Sequence, residues 1–185
     1  MELVKKFEIT KITKIILLAF LGSVLLTISA MIKIPFYPVP MTMQTFVVLF
    51  LGMALGSKIG LATVVLYLLE GIFGLPVFAN SPEKGIGLIY FTGPTMGYLI
   101  GFLLAAYFAG KTIKSSGMIV VFLKLLFSVS FIYILGLLWL GMLIGWDKPI
   151  FKLGAQPFLL AELFKLTLLT ALYPWVIKIN NKLSG

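Results

Sequence analysis

The chain has 185 residues, of which 61% are hydrophobic and 11% are charged. Soluble domains are roughly 45–50% apolar and about 25% charged. Too little polar surface therefore remains to coat a water-soluble body, and lipid must solvate much of this chain. Cysteine and histidine are absent, which excludes disulfides, thiolate nucleophiles, histidine bases and the usual zinc sites. We expect no cofactor, no metal and a single domain over residues 1–185.

The apolar segments predict an all-α, polytopic membrane protein with six transmembrane helices in one bundle. A spanning helix needs about 20 mostly apolar residues, and breaks with proline, glycine or polar residues separate the segments. The first apolar run is longer than the core of a cleavable signal peptide, so we interpret it as a spanning helix. The six predicted helices are 14–32, 42–56, 60–78, 94–113, 118–143 and 156–179.

The net charge of +9 comes entirely from lysine, since arginine is absent. The lysines lie beside apolar runs and form no basic stripe, so we expect no nucleic-acid partner. Cytoplasmic loops carry the excess of basic residues. This rule places both termini in the cytoplasm and the multi-pass chain in the cell membrane. The inner segments then hold Lys5, Lys6, Lys11, Lys14, Lys58, Lys111, Lys114, Lys178 and Lys182, and the outer loops hold Lys33, Lys84, Lys148 and Lys152.

Charged residues inside the predicted helices are the first candidates for function, because each costs several kcal/mol unless it is paired or hydrated. Glu162 and Lys165 are three residues apart and share one helix face, where they can pair and offer an acceptor and a cation to a solute. The alternative is a structural ion pair. For Glu70 we favour a structural or buried, protonated role, and the alternatives are contact with a solute or a pair with Lys124. Lys124 is also placed to extend towards the membrane surface.

Two further patterns point to surfaces. Ala19, Ser23 and Thr27 are four residues apart on the first helix, and such a small-residue stripe packs within the bundle or docks a partner subunit. Aromatic residues near the outer loops, including Tyr90 and Tyr98, form an interfacial belt or wall a pocket for a flat ring. The chain has no phosphate-binding loop of the ATPase type, so any ATP-driven transport needs another subunit.

Four blocks of sequence carry a resemblance to a known family. They are IPFYPVPMTMQT at 34–45, LY at 66–67 with GIFGLPVFA at 71–79, GPTMGYLIGF at 93–102 and QPFLLAELFK at 156–165. In this order and spacing they resemble the BioY family, the biotin-binding subunits of energy-coupling-factor (ECF) transporters. The resemblance implies a six-helix substrate-binding (S) component that takes biotin from outside and partners with a transmembrane coupling subunit and two ATPases.

The resemblance also implies roles for particular residues. Glu162 and Lys165 are expected to serve the polar ends of biotin, and Asn80 lies at the ureido-binding position. Thr42 and Gln44 belong to the loop that covers the site. The stripe of Ala19, Ser23 and Thr27 is similar to the family's surface for the coupling subunit. With the two aromatic candidates, the expected ligand-binding residues are Glu162, Lys165, Asn80, Gln44, Thr42, Tyr98 and Tyr90.

Four positions depart from the family pattern. Glu162 replaces an aspartate, Met96 replaces a glycine and is expected to fill space near the site, and Ser23 and Thr27 replace alanines. The first two departures leave open a capture subunit of the same architecture for another ring-acid vitamin. A membrane enzyme or a packing subunit without a ligand is the remaining alternative. An enzyme would need carboxylate–lysine chemistry, since histidine and cysteine are absent.

Overall fold

The computed structural model describes residues 2–34, 37–114 and 117–184. Pro35 and Phe36 of the proline-rich loop, and Ser115 and Ser116 of a predicted turn, lie outside the described residues. Short 3-10 turns span Gly87–Thr92, Lys111–Lys114 and Gln156–Phe158. The α-helices within the described residues are α1 (Glu2–Met31), α2 (Gln44–Ile72), α3 (Met96–Gly110), α4 (Met118–Ile144), α5 (Ile150–Gly154), α6 (Leu159–Ala171) and α7 (Tyr173–Ser184).

The run of helix named α2 folds back on itself and contains the second and third predicted helices. Gly56 has φ 80° and ψ 166°, outside the helical region. The Gln44 side chain donates to the Tyr67 hydroxyl at 2.7 Å, although 23 residues of straight helix would separate them by about 35 Å. A Cβ on Gly60 would lie 2.8 Å from the Cα of Gly52. Residues 44–55 and 57–72 therefore form a closely packed antiparallel pair.

The third predicted helix is wrong at its end, because α2 stops at Ile72 rather than continuing to residue 78. Gly74 adopts φ 92°. Its N–H donates to the carbonyl of Gly71, and the N–H of Leu75 donates to the carbonyl of Glu70. These two bonds form a glycine C-cap that satisfies the last carbonyls of the helix. Pro76 follows and prevents the helix from resuming.

The last predicted helix, 156–179, is also wrong as a single element. It consists of the 3-10 turn Gln156–Phe158, α6 and α7, and the axes of the last two helices bend by 61° at Leu172. Pro174 explains the break, since it has no N–H to donate to the carbonyl of Thr170 and its ring would clash there. The helix predicted at 118–143 is confirmed as α4, and that at 94–113 as α3 with its following 3-10 turn.

The irregular segments gather at one end of the molecule, which we call the loop end. Here β1 (Lys33–Ile34) pairs antiparallel with β2 (Met41–Thr42). The two strands form a short hairpin, which the predicted all-α fold did not include. Lys33 also donates to the side chain of Asn80. At the opposite end, Asn180 of α7 contacts the Gly56 turn. α7 therefore finishes near the Gly56 turn, at the end opposite the loops.

Three helical runs of the described chain are long and apolar enough to cross a bilayer: Ile12–Met31 within α1, α4, and α2, whose 29 residues are divided between its two antiparallel halves. The bent pair Ile150–Ala171 and Tyr173–Leu183 passes the same test if it is taken as one span, and α3 is a shorter apolar helix. The chain is therefore mostly helical, with several helices suited to a membrane.

The side chain of Asn180 caps the first half of α2. Its amide donates to the carbonyls of Ala54 at 3.0 Å and Met53 at 3.4 Å, which are among the last carbonyls before the Gly56 turn, where carbonyls generally lack an intrahelical partner. We expect Asn180→Ala to lower the free energy of unfolding by about 1 kcal/mol. Asn181→Ala, at an exposed neighbouring position, is the control. Thermal unfolding in detergent would measure both, and equal stabilities would contradict the capping role.

Candidate functional site

A cavity lies beneath the loops, and we call it the inner cavity. The empty space within it and at its opening is about 550 Å³. Its walls come from the end of the β-hairpin and from α2, α3, α4 and α6, so distant parts of the chain meet there. Most of the lining is apolar or aromatic, and one ionisable acid is present. The lining residues are Val39, Pro40, Met41, Thr42, Gln44, Thr45, Ala79, Tyr90, Thr95, Tyr98, Leu99, Phe102, Ile132, Tyr133, Phe158 and Glu162.

Glu162 and Lys165 form a buried ion pair on α6, as their spacing predicted. Lys165 Nζ lies 2.7 Å from Glu162 Oε1, and each residue is only 5% exposed. The Thr45 hydroxyl accepts from Lys165 Nζ at 2.9 Å and donates to the same Glu162 oxygen at 2.8 Å. The three side chains therefore form a closed network that fixes the carboxylate.

The second carboxylate oxygen of Glu162, Oε2, is buried and has no hydrogen-bond partner among the described residues. Nearly all buried polar atoms in native proteins are paired, so an exception calls for an explanation. Because Glu162 lines the inner cavity, a donor group on a bound molecule would satisfy this oxygen. The site thus offers one charged acceptor at a fixed place.

Lys165 does not line the inner cavity. Its ammonium group donates to Glu162 Oε1, to Thr45 Oγ1 and to the carbonyl of Thr42 at 2.7 Å. A lysine ammonium has three N–H donors, and these three acceptors occupy them all. Lys165 therefore ties the β-hairpin to α6 and pairs with Glu162, and its direct contact with a solute stays a prediction.

Polar side chains hold the rest of the wall in place. The Thr42 hydroxyl donates to Gln44 Oε1 at 3.1 Å, and Gln44 Nε2 donates to Tyr67, whose hydroxyl donates to the carbonyl of Val77 at 3.0 Å. The hydroxyl of Tyr90 donates to Ala79 O, and that of Tyr98 to Gly154 O. Burial raises the pKa of the Tyr90 phenol, so it remains a donor. The two rings are therefore fixed as apolar walls.

An outer cavity of about 890 Å³ adjoins the inner one. Pro40, Tyr90 and Thr95 line both. Asn80, the expected ureido-binding residue, lines the outer cavity and not the inner one, and its side-chain oxygen accepts from Lys33. The remaining outer lining residues are Tyr37, Pro38, Lys84, Gly93, Pro94, Leu143 and Ile144.

Five of the seven expected ligand-binding residues thus line the inner cavity: Thr42, Gln44, Tyr90, Tyr98 and Glu162. Sequence analysis did not predict the other eleven lining residues, which include Thr45, Thr95, Tyr133 and Phe158. Thr45 and Thr95 lie inside the quoted sequence blocks, where a hydroxyl carried no signal of its own. Tyr133 belongs to a long apolar helix, and no pattern in α4 distinguishes it. Met96 lines neither cavity, contrary to the expectation that it fills space near the site.

The small residues of α1 face the interior of this chain. Ala19 is 7% exposed and Ser23 is fully buried, and the Ser23 hydroxyl donates to Glu70 Oε1 at 2.8 Å. Of the two interpretations, these contacts favour packing within the bundle for Ala19 and Ser23. Thr27 is half-buried. Glu70 thereby has a structural partner, and Lys124 is exposed on α4, as expected for a lysine that extends to the membrane surface.

Comparison with known proteins gives consistent results. A model of the BioY family matches residues 3–182. The chain is 35% identical over 141 residues to a probable biotin transporter BioY of Pyrococcus horikoshii, covering 76% of this chain and 82% of that protein. It is 37% identical over 143 residues to the biotin transporter BioY of Thermotoga maritima, covering 77% and 83%. The crystal structure of the S-component for biotin from an ECF-type ABC transporter superposes with a TM-score of 0.75, at 25% identity over 91% of this chain and 93% of that one.

Removing one partner of the buried ion pair should destabilise the protein strongly. Lys165→Met leaves the Glu162 carboxylate in an apolar setting without its cation, which typically costs about 3–5 kcal/mol. The double variant Lys165→Met, Glu162→Leu removes both charges and should recover most of that loss. Thermal unfolding of the three purified proteins in detergent would test this. A double variant no more stable than the single one would contradict the account of the pair.

Proposed function

Because this chain belongs to the BioY family, we propose that it is a membrane biotin uptake subunit, which captures biotin in the inner cavity and delivers it with an ATP-driven coupling module. It is an integral protein of the cell membrane and not an enzyme. We further propose that residues 1–185 act as one transmembrane substrate-binding domain.

The observation that carries this proposal is the unpaired Oε2 of Glu162 in a largely apolar cavity. Biotin has a ureido group with two N–H donors, an apolar thioether ring and a carboxylate tail. A ureido N–H meets the need of the free oxygen, and the thioether ring suits the walls formed by Tyr90, Tyr98 and Phe158. Thr42 and Gln44 hold the hairpin that closes the cavity, and Asn80 lies further out.

Another ring-acid vitamin remains the second candidate for the ligand. The inner cavity favours a ring that carries N–H donors, because a ligand without them would leave Glu162 Oε2 unpaired and desolvated, at a cost of several kcal/mol. Lipoate shares the sulfur ring and acid tail of biotin but has no ring donor. It is therefore the sharpest ligand for comparison.

We propose that the chain crosses the membrane six times, with both termini in the cytoplasm and the loop end outside. Nine lysines lie at or near the end that carries the termini and the Gly56 and Lys111–Lys114 turns, and four lie in the loop-end segments. This asymmetry fits the excess of basic residues on the cytoplasmic side. The inner and outer cavities would then face arriving solute.

The partners that we propose are a transmembrane coupling subunit and two ATPases, since this chain has no nucleotide-binding loop of its own. Of the stripe expected to dock the coupling subunit, Ala19 and Ser23 are buried within the bundle. We therefore propose that Thr27 and the exposed face of α1 beside it dock the coupling subunit. Co-purification of the chain with coupling subunits would identify the partners.

Biotin binding to the purified chain, measured by calorimetry in detergent, should be tight and should exceed that of lipoate. Glu162→Gln keeps an oxygen for Lys165 and Thr45 but removes the negative charge, so we expect biotin affinity to fall about 10- to 100-fold. Thr170→Val, a buried α6 position whose hydroxyl bonds only its own helix, is the matched control. Wild-type affinity in folded Glu162→Gln would refute the assigned site, and absence of biotin binding by folded wild-type protein would refute the function.

The proposed sidedness can be tested with single thiols, because the natural chain has no cysteine. Lys148→Cys lies between α4 and α5 at the loop end, and Lys58→Cys lies just after the Gly56 turn at the opposite end. Both positions are exposed. A membrane-impermeant maleimide applied to intact cells should label the first variant and reach the second only after permeabilisation. The reverse pattern would invert the orientation, and labelling of both would contradict it.

A further inference from the structure

The inner cavity holds a fixed anion and no free cation. Among the residues that the structure describes, Glu162 is the single charged one in its lining, and the three donors of Lys165 are used by Glu162, Thr45 and Thr42 O. A ligand carboxylate placed there would face a second carboxylate in a setting of low dielectric, where like charges repel strongly. An acidic ligand must therefore direct its acid group away from the inner cavity.

The outer cavity has the opposite character. Lys84 is among its lining residues, and no acidic side chain is. The ammonium group of Lys33 lies at its edge, where it donates to Asn80. Glu83, next to Lys84 in sequence, is exposed and lines neither cavity. The outer cavity therefore presents positive charge next to the inner cavity, where the carboxylate of Glu162 is paired with Lys165.

The two cavities share the walls formed by Pro40, Tyr90 and Thr95, so a molecule with a ring and a flexible tail can occupy both. We propose that Lys84 forms an anion subsite in the outer cavity, which takes the carboxylate tail of a ligand whose donor-bearing ring meets Glu162 in the inner cavity. This inference rests on the proposed function. Lys84 would then supply the cation that was expected from Lys165. Lys84 lies in the loop between α2 and α3, whereas Lys165 lies on α6.

The test compares biotin with biotinamide, in which a neutral carboxamide replaces the tail carboxylate. Dissociation constants are measured by calorimetry for the wild type, Lys84→Gln, Lys84→Arg and the control Lys152→Gln, an exposed lysine of α5 that lines neither cavity. We expect Lys84→Gln to weaken biotin about fivefold at low salt, in the range of a solvent-accessible charge pair, and to leave biotinamide unchanged. The arginine variant and Lys152→Gln should keep the wild-type preference for biotin over the amide.

The preference should also shrink at about 0.5 M salt, because ions screen a solvent-accessible pair. If Lys84→Gln retains the full wild-type preference for biotin over biotinamide, the subsite is overturned. An equal loss of both ligands overturns it too, since a neutral tail cannot sense a lost charge. Failure of the wild type to bind biotin at all would instead overturn the proposed function, so the two failures are distinguishable.

Discussion

The buried ion pair of Glu162 and Lys165 is the interaction on which the site depends. A charge held away from water is tolerated only when it is paired and its remaining groups are hydrogen-bonded. Lys165 meets this requirement in full, with three acceptors from two separate segments. Glu162 meets it with one oxygen and not with the other. The pair therefore joins the β-hairpin to α6 and leaves a single charged acceptor for a ligand.

The same requirement governs the irregular backbone at the loop end. Carbonyl groups outside helices need donors where water is scarce, and aromatic side chains supply them here. The hydroxyls of Tyr67 and Tyr90 each donate to a loop carbonyl, that of Tyr98 donates to the carbonyl of Gly154 at the end of α5, and the indole of Trp139 donates to the carbonyl of Gly93 at 2.8 Å. Tyr90 and Tyr98 thus combine an apolar ring for the wall of the inner cavity with a polar group that fixes the backbone behind it.

Composition and local sequence were sufficient to predict the helical class, the extent of α4 and the face shared by Glu162 and Lys165. Two boundaries were missed although their signals were present, because Gly74 with Pro76 ends α2 and Pro174 breaks α6 from α7. The direction of the Lys165 ammonium group could not be predicted in full, since two of its three acceptors come from residues more than a hundred positions away. The role of Thr45 was missed for the same reason.

Separating the ion pair from the ligand's acid group has a consequence for selectivity. Ring-acid vitamins share the acid, so a site that relied on a cation at its base would discriminate poorly among them. Here the enclosed cavity presents an acceptor fixed by Thr45 and Lys165, and a ring without N–H donors leaves that acceptor unpaired. A site rejects a wrong ligand more strongly when that ligand leaves a buried polar group of the site unpaired than when it only fits an apolar wall poorly. Discrimination therefore depends on the ring, while the exposed lysine at the outer cavity contributes to affinity for any acid tail.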